Sequence, residues 1–326
     1  MKPVVVVGGY GRLGTCCARQ LLRSASAEVV IAGPSVQRAE ATAAALGSRA
    51  QGAYLDATDS RTLPNTAGTV AAYLVCCPGL PLELLSHAIE SRTPLIAMTP
   101  TALPPESIAE LAERSWEQET PLILRAGWAP GLAGVLAEVL TRSYPVLDEI
   151  RIASTGPDLG SVAAREDWRK LLAEWRQQRG SGSRRRMLQF GFPEPVGARR
   201  VVQVPHADLR AFAAQHTIFQ LSYYEQDRGL LARGYRRLTR REDSGPAAIL
   251  AAEAFEQADS REPIERLSLR AANPLEVSAW VIRVLLRNLE LGKVPAGVSE
   301  LREAINPGLL LRELERLGAC VSREKL

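Results

Sequence analysis

Histidine is scarce in this chain, with three copies, and its five cysteines show no metal-ligand spacing. No metal site is therefore expected, because the two residue types that most often build one are thin and scattered. Four of the cysteines form adjacent pairs, Cys16-Cys17 and Cys76-Cys77, which read as small buried residues; Cys77, at a strand end, has a reactive thiol as its alternative. Long apolar runs are missing too. None approaches the roughly 20 residues a membrane helix needs, so no membrane partner is expected. The chain also lacks a strong excess of charge: a net +4, carried by scattered basic residues that are nearly all Arg, makes no patch with aromatic interleaving. No nucleic-acid partner is expected. Nor does the start show a signal-peptide pattern, since Lys2-Pro3 leads directly into an apolar strand, and a cytoplasmic protein is expected.

What is present begins with that strand. Val4 to Val7 runs into Gly9-Tyr10-Gly11-Arg12-Leu13-Gly14, and a helical pattern follows from Thr15 to Leu22. Strand, tight turn and helix with glycines at this spacing suit a pyrophosphate. Gly9 and Gly11 are expected to take backbone angles that a side chain forbids, and Gly14 to let the helix sit closely on the strand. The helix N-terminus would then offer free N–H groups to the anion. The second strand, Glu28 to Ala32, lacks the closing Asp or Glu that binds ribose hydroxyls in NAD sites. Gly33-Pro34-Ser35 follows, with Arg38 one turn further on, so a hydroxyl and a guanidinium stand where a 2′-phosphate would need partners. We therefore expect NADP(H); as the alternative, Ser35 caps the next helix and Arg38 is a solvated surface residue.

At 326 residues the chain is long enough for two domains and a sizeable core. Arg38 to Leu46 reads as a helix stopped by Gly47, and Ala50 to Leu55 as a strand ending in Asp56. Asp56 is a candidate acceptor for an adenine amino group, or a plain helix cap. Val70 to Cys76 reads as a strand, followed by a Cys77-Pro78-Gly79 loop suited to lie beside a nicotinamide. Helices at Leu82 to Glu90 and Ser107 to Glu119 alternate with strands at Leu95 to Met98 and Pro121 to Leu124. That alternation predicts an α/β, doubly wound parallel sheet of the Rossmann type, with its ligand crevice at the strands' carboxyl ends.

After the last of these strands comes Arg125-Ala126-Gly127-Trp128-Ala129-Pro130-Gly131, then an apolar helix from Val135 to Leu140. With the N-terminal glycine turn, Ala32-Gly33, Asp56 with Thr58 and Asp59, and the closing Gly292 to Val298 and Leu314 to Gly318, the chain resembles the saccharopine dehydrogenase-like family. The resemblance covers about the first 135 residues and the last 40. It departs at Pro34, where members often carry Arg, and at Ala129, where they carry Asp. It implies a substrate-side turn at Gly127, Trp128, Pro130 and Gly131, terminal helices that return to the first domain, and pairing of subunits through the second domain.

The expected organisation is a Rossmann NADP-binding domain at 1–128, an α+β substrate and dimerisation domain on a mixed sheet at 129–272, and C-terminal helices at 273–326. In the middle, Leu147 to Ser154, Arg199 to Val204, Thr217 to Tyr224 and Ile264 to Arg270 read as strands. Val162 to Arg179, Pro246 to Ala258, Leu275 to Leu291 and Gly308 to Leu317 read as helices. Trp168 and Trp175 share a face of the first, as core or as the centre of a homodimer contact. Gly180 to Arg186 is a candidate lid or a solvated loop. Alternation in Thr217 to Tyr224 puts Gln220, Ser222 and Tyr224 on one mostly polar face, as substrate-side candidates. His206 and His216 are the candidate proton donors, His206 with a plain loop role as its alternative, and His206 and Tyr224 are the catalytic candidates.

The resemblance implies chemistry at a C–N centre. The expected function is an NADP(H)-dependent oxidoreductase acting on the imine or secondary amine of a small amino-acid-like or amine substrate. A carbonyl or enoyl reductase on the same scaffold, or an NADP(H) sensor without turnover, are the alternatives.

Overall fold

The structure is a computed structural model. It describes residues 2–63, 68–98, 103–156, 186–204, 206, 212, 215–216, 218–226, 247–258, 260 and 262–326. The predicted Trp-bearing helix and the Gly180 to Arg185 part of the loop lie outside those residues, as does Thr217. Two compact units are present, one comprising 1–132 and 275–317, the other mainly 133–159, 169–274 and 318–326.

The first unit alternates strand and helix: β1 (Val4–Val7), α1 (Arg12–Leu21), β2 (Val29–Gly33), α2 (Val36–Leu46), β3 (Ala50–Tyr54), β4 (Ala72–Val75), α3 (Leu82–Glu90), β5 (Leu95–Ala97), α4 (Pro105–Glu117) and β6 (Pro121–Leu124). These strands pair in parallel in the order β6-β5-β4-β1-β2-β3. The all-Val β1 and the apolar β4 (Ala-Tyr-Leu-Val) are buried along their whole length, as the middle strands of a sheet covered on both faces must be. A seventh parallel strand, β13 (Gly297–Glu300), comes from far along the chain and pairs with β6.

The second unit opens with α5 (Leu132–Ser143). Its mixed sheet contains β7 (Leu147–Thr155), β8 (Met187–Gly191), β9 (Ala198–Val204), β10 (Ile218–Gln226), β11 (Ala248–Phe255), β12 (Glu265–Ala271) and β14 (Cys320–Lys325), in the order β14-β12-β11-β7-β10-β9-β8. The β7–β10 pair is parallel and the remaining pairs are antiparallel.

Three expectations need correction. The helix expected over Pro246 to Ala258, of which 247–258 are described, is not found there. Ala248–Phe255 is a strand buried at all eight positions, held antiparallel to β7 on one side and β12 on the other. Its alanines favour a helix locally, but double burial removes the alternation that marks a strand, and the two ladders decide the outcome. Second, the C-terminal helices return to the first unit as expected, but the last strand does not go with them. Helices α6 (Pro274–Glu290), α7 (Leu301–Ala304) and α8 (Pro307–Arg316) belong to the first unit with β13, whereas β14 pairs with β12 in the second. Third, the glycine turn uses a different residue for its left-handed backbone.

Candidate functional site

That residue is Gly8, at φ +74°. Gly11 has φ −75°, and Gly9 is likewise outside the positive-φ residues. The glycines are required by space instead. A Cβ on Gly9 would lie 2.7 Å from the Val6 carbonyl oxygen and 3.0 Å from Ile31 Cγ2. One on Gly14 would lie 2.6 Å from the Gly8 oxygen. One on Gly11 would meet just the Gly8 oxygen at 3.2 Å, leaving that position open outward. The turn is closed by Gly8 N–H and Gly9 N–H donating to the Ala32 oxygen at 2.8 and 3.2 Å, and by Gly11 N–H donating to Gly8 at 3.0 Å. Gly11 caps α1 with no side chain, and no acidic residue stands in the helix's first turn. Arg12, Leu13 and Gly14 thus begin a helix whose N-terminus is suited to an anion.

The sheet order reverses between β1 and β4, which is where a doubly wound sheet opens its crevice. The loops after those strands touch there: a Cβ on Gly8 would lie 2.9 Å from Cys77 N. Cys77 therefore borders the turn, with Pro78 next in the chain. The neighbouring thiols are held protonated. Burial pushes Cys16 up to about 11, and a hydrogen bond with Cys17, together with burial, pushes Cys76 well above its ordinary value.

At the end of β2, Tyr10 lies against Gly33, whose added Cβ would fall 2.5 Å from Tyr10 Cε1 and 2.9 Å from Cζ and Oη. Arg38 stacks over that ring, with its guanidinium carbon 4.4 Å from the centroid. Ser35 is the N-cap of α2 and accepts from Arg38 N–H at 3.4 Å. Asp56 turns back on its own loop: its Oδ1 accepts from Thr58 N at 3.0 Å and from Thr58 Oγ1 at 2.7 Å. Those bonds hold its carboxyl below the usual range.

The junction turn is a tight backbone knot. Gly127 N–H donates to Pro130, and Leu132 N–H donates to Gly127, both at 3.0 Å. Gly131 has φ +116°, and a Cβ there would lie 2.6 Å from the Gly127 oxygen. Gly127, Pro130 and Gly131 are buried, so the half-buried Trp128 is the side chain the knot presents.

In the second unit, Arg186, Gln203, Gln220, Leu221 and Ser222 line a concavity of about 430 Å³. Ser222 Oγ accepts from Gln203 Nε2 and from Gln220 Nε2, each at 3.3 Å. Gln220 also donates to the fully buried Glu149 at 2.9 Å. Glu149 is paired with Arg151 at 2.5 Å, and Arg186 stands 3.7 Å from it. Beside Ser222, the buried Tyr224 hydroxyl has no hydrogen bond of good geometry, and burial raises its pKa. Gln220, Ser222 and Tyr224 thus come together on one face, as the alternation predicts.

His206 does not join them. Its ring packs on Tyr223, centroids 4.4 Å apart, and successive residues of a strand point to opposite faces, so the sheet separates His206 from Tyr224. His216 is on neither candidate surface's polar wall; it faces Glu138 at 3.3 Å and the Phe212 carbonyl at 3.1 Å. Sequence reasoning missed Gly8, Gln203, Glu149 and Arg151. A charged Glu149 in a strand whose alternation turns it inward was the available signal for the last pair.

No family model and no curated protein sequence matches the chain. Among solved structures, apo saccharopine dehydrogenase (L-Glu forming) from Saccharomyces cerevisiae is similar over all of both chains, with TM-score 0.67 and 11% identity. GenD2 from gentamicin A biosynthesis, solved in complex with NAD, is similar over 100% of this chain and 96% of its own, with TM-score 0.50 and 15% identity. Identities this low speak to architecture and leave the chemistry to the residues above: the chain has a saccharopine dehydrogenase-like fold.

Proposed function

We propose that this protein is an oxidoreductase that moves hydride between NADP(H) and a C–N centre of a small amino-acid-like or amine substrate. One observation carries the cofactor half. The turn from Gly8 to Gly14 is a cradle that a single Cβ would fill, and it opens onto an uncapped helix N-terminus. Those residues fit a pyrophosphate. Ser35 and Arg38, at the start of α2, fit a 2′-phosphate, and Cys77 with Pro78 borders the crevice on the β4 side. When bound, the nicotinamide supplies or accepts the hydride.

The chain's own residues have the lighter task of binding and orienting an electrophile and holding a proton. Gln203, Gln220 and Ser222 form a mutually bonded polar wall, with Arg186 at its edge. Tyr224, on the same face beside Ser222 and packed among Phe190, Phe192 and Val201, is protonated at neutral pH as any tyrosine is, and is the proton-bearing group of this reading. Trp128 at the junction turn is the further substrate-side residue. A homodimer is the assembly we propose.

The test is consumption of NADPH by the purified protein in the presence of cyclic imines and of mixtures of 2-oxo acids with amines. Turnover with an imine and none with the parent ketones supports the reading. Turnover with ketones alone moves the protein to carbonyl reduction. Tight NADPH binding without any turnover leaves a sensor.

A further inference from the structure

Tyr10 occupies a variable position of the glycine turn, yet its side chain is built into the end of β2. The ring lies so close on Gly33 that a Cβ there would sit 2.5 Å from Tyr10 Cε1 and the ring would have to shift. Position 33 ends the strand at which NAD-binding sheets place the Asp or Glu for ribose hydroxyls. Here glycine stands at that position, so no carboxylate there repels a 2′-phosphate, and the ring fills the space beside it. The same ring carries Arg38, 4.4 Å above its centroid. Arg38 is exposed and has no acidic neighbour in the first turn of α2. An exposed arginine otherwise samples many rotamers, and stacking on an aromatic face fixes its plane while leaving its N–H edges to bond.

Resting on the NADP(H) reading above, we propose that Tyr10 is a positioning residue that sets the preference for a 2′-phosphorylated dinucleotide by holding the Arg38 guanidinium over its ring. The role belongs to the ring and not to its hydroxyl. It therefore acts on the phosphate-bearing ligand and leaves the plain one alone.

The experiment is a fluorescence titration of the full chain with NADPH and NADH, repeated with adenosine 2′,5′-bisphosphate and adenosine 5′-monophosphate. The unaltered protein is compared with Tyr10→Phe, Tyr10→Ala, Arg38→Ala and the Tyr10→Ala/Arg38→Ala double variant. The unaltered protein is expected to favour the 2′-phosphorylated ligand about tenfold or more. Tyr10→Ala is expected to lower that ratio by roughly two- to fivefold through weaker NADPH binding, with NADH affinity unchanged. Tyr10→Phe keeps the ratio, and the double variant falls no further than Arg38→Ala. If Tyr10→Ala keeps the full ratio while Arg38→Ala loses it, the inference falls and the cofactor reading stands. Equal loss of NADH and NADPH affinity in Tyr10→Ala also overturns it, because a merely structural ring would act on both. No preference in the unaltered protein overturns both readings.

Discussion

Arg125 and Glu300 meet at 2.5 Å across 175 residues of sequence, tying the loop after β6 to the last residue of β13. Arg302 adds a second bond to the same carboxylate at 3.0 Å, so one Glu serves two nearly buried guanidinium groups. This carboxylate also belongs to the capping box that starts α7.

Removing it should take the Glu300 carboxylate from the nearly buried Arg125, while Arg302 keeps Glu303 at 3.1 Å. Glu300→Ala is expected to cost about 3 kcal/mol or more in chemical denaturation, the usual range for breaking a buried pair. The exposed pair Arg114–Glu110, at 3.8 Å, is the contrast. Glu110→Ala should stay within about 0.5 kcal/mol of the unaltered protein. Equal effects from the two variants would show that Glu300 has no special part in seating β13 beside the junction turn.

The two glycines that flank Arg12 and Leu13 should separate folding from binding. Gly14→Ala places a Cβ 2.6 Å from backbone, and is expected to lose about 1–3 kcal/mol of stability together with dinucleotide affinity. Gly11→Ala meets one atom at 3.2 Å and faces outward, so it should keep the melting temperature within a few degrees and still lose affinity. Thermal melts and a titration of each variant check this. Retained affinity in Gly11→Ala would show that the backbone there is not approached by phosphate.

Tyr224→Phe should trade function for stability. Its buried hydroxyl lacks a bond of good geometry, so removing it should stabilise the protein by about 1 kcal/mol at neutral pH while weakening substrate turnover. The pH dependence has a definite sign. Burial raises the folded-state pKa above the ordinary tyrosine value of about 10, so the protonated form favours the native state below that value. That advantage is lost as pH rises through the raised value. Denaturation of the two proteins should therefore show the phenylalanine variant's lead growing above about pH 10. A constant difference would mean that Tyr224 does not titrate differently on folding.

Much of the first unit is legible in sequence because its signals are local. Leu82–Glu90 and Pro121–Leu124 carry their boundaries in the neighbouring Pro, Gly and Thr residues, and the glycine spacing identifies the turn. Gly8's role is not legible, because left-handed backbone is not encoded in spacing. Alternation in β10 puts Gln220, Ser222 and Tyr224 on one wall, since period two is a property of the strand itself. It does not say that His206 packs against the opposite face, which depends on a distant segment. β11 is misread because alanines buried on both faces look helical, and β13 is only four residues long. The Tyr10–Arg38 stack joins the glycine turn to the first turn of α2 through side chains, and no pattern in either segment announces it.

The proposed joint hold of the glycine cradle and Arg38 on NADP(H) is tested by calorimetric titration of the unaltered protein and of Arg38→Ala with NADPH and NADH. NADPH should bind about tenfold tighter than NADH or better, with Arg38→Ala removing about 1.4 kcal/mol or more of that preference. Equal affinity for the two dinucleotides, or no binding of either below about a millimolar, would contradict it.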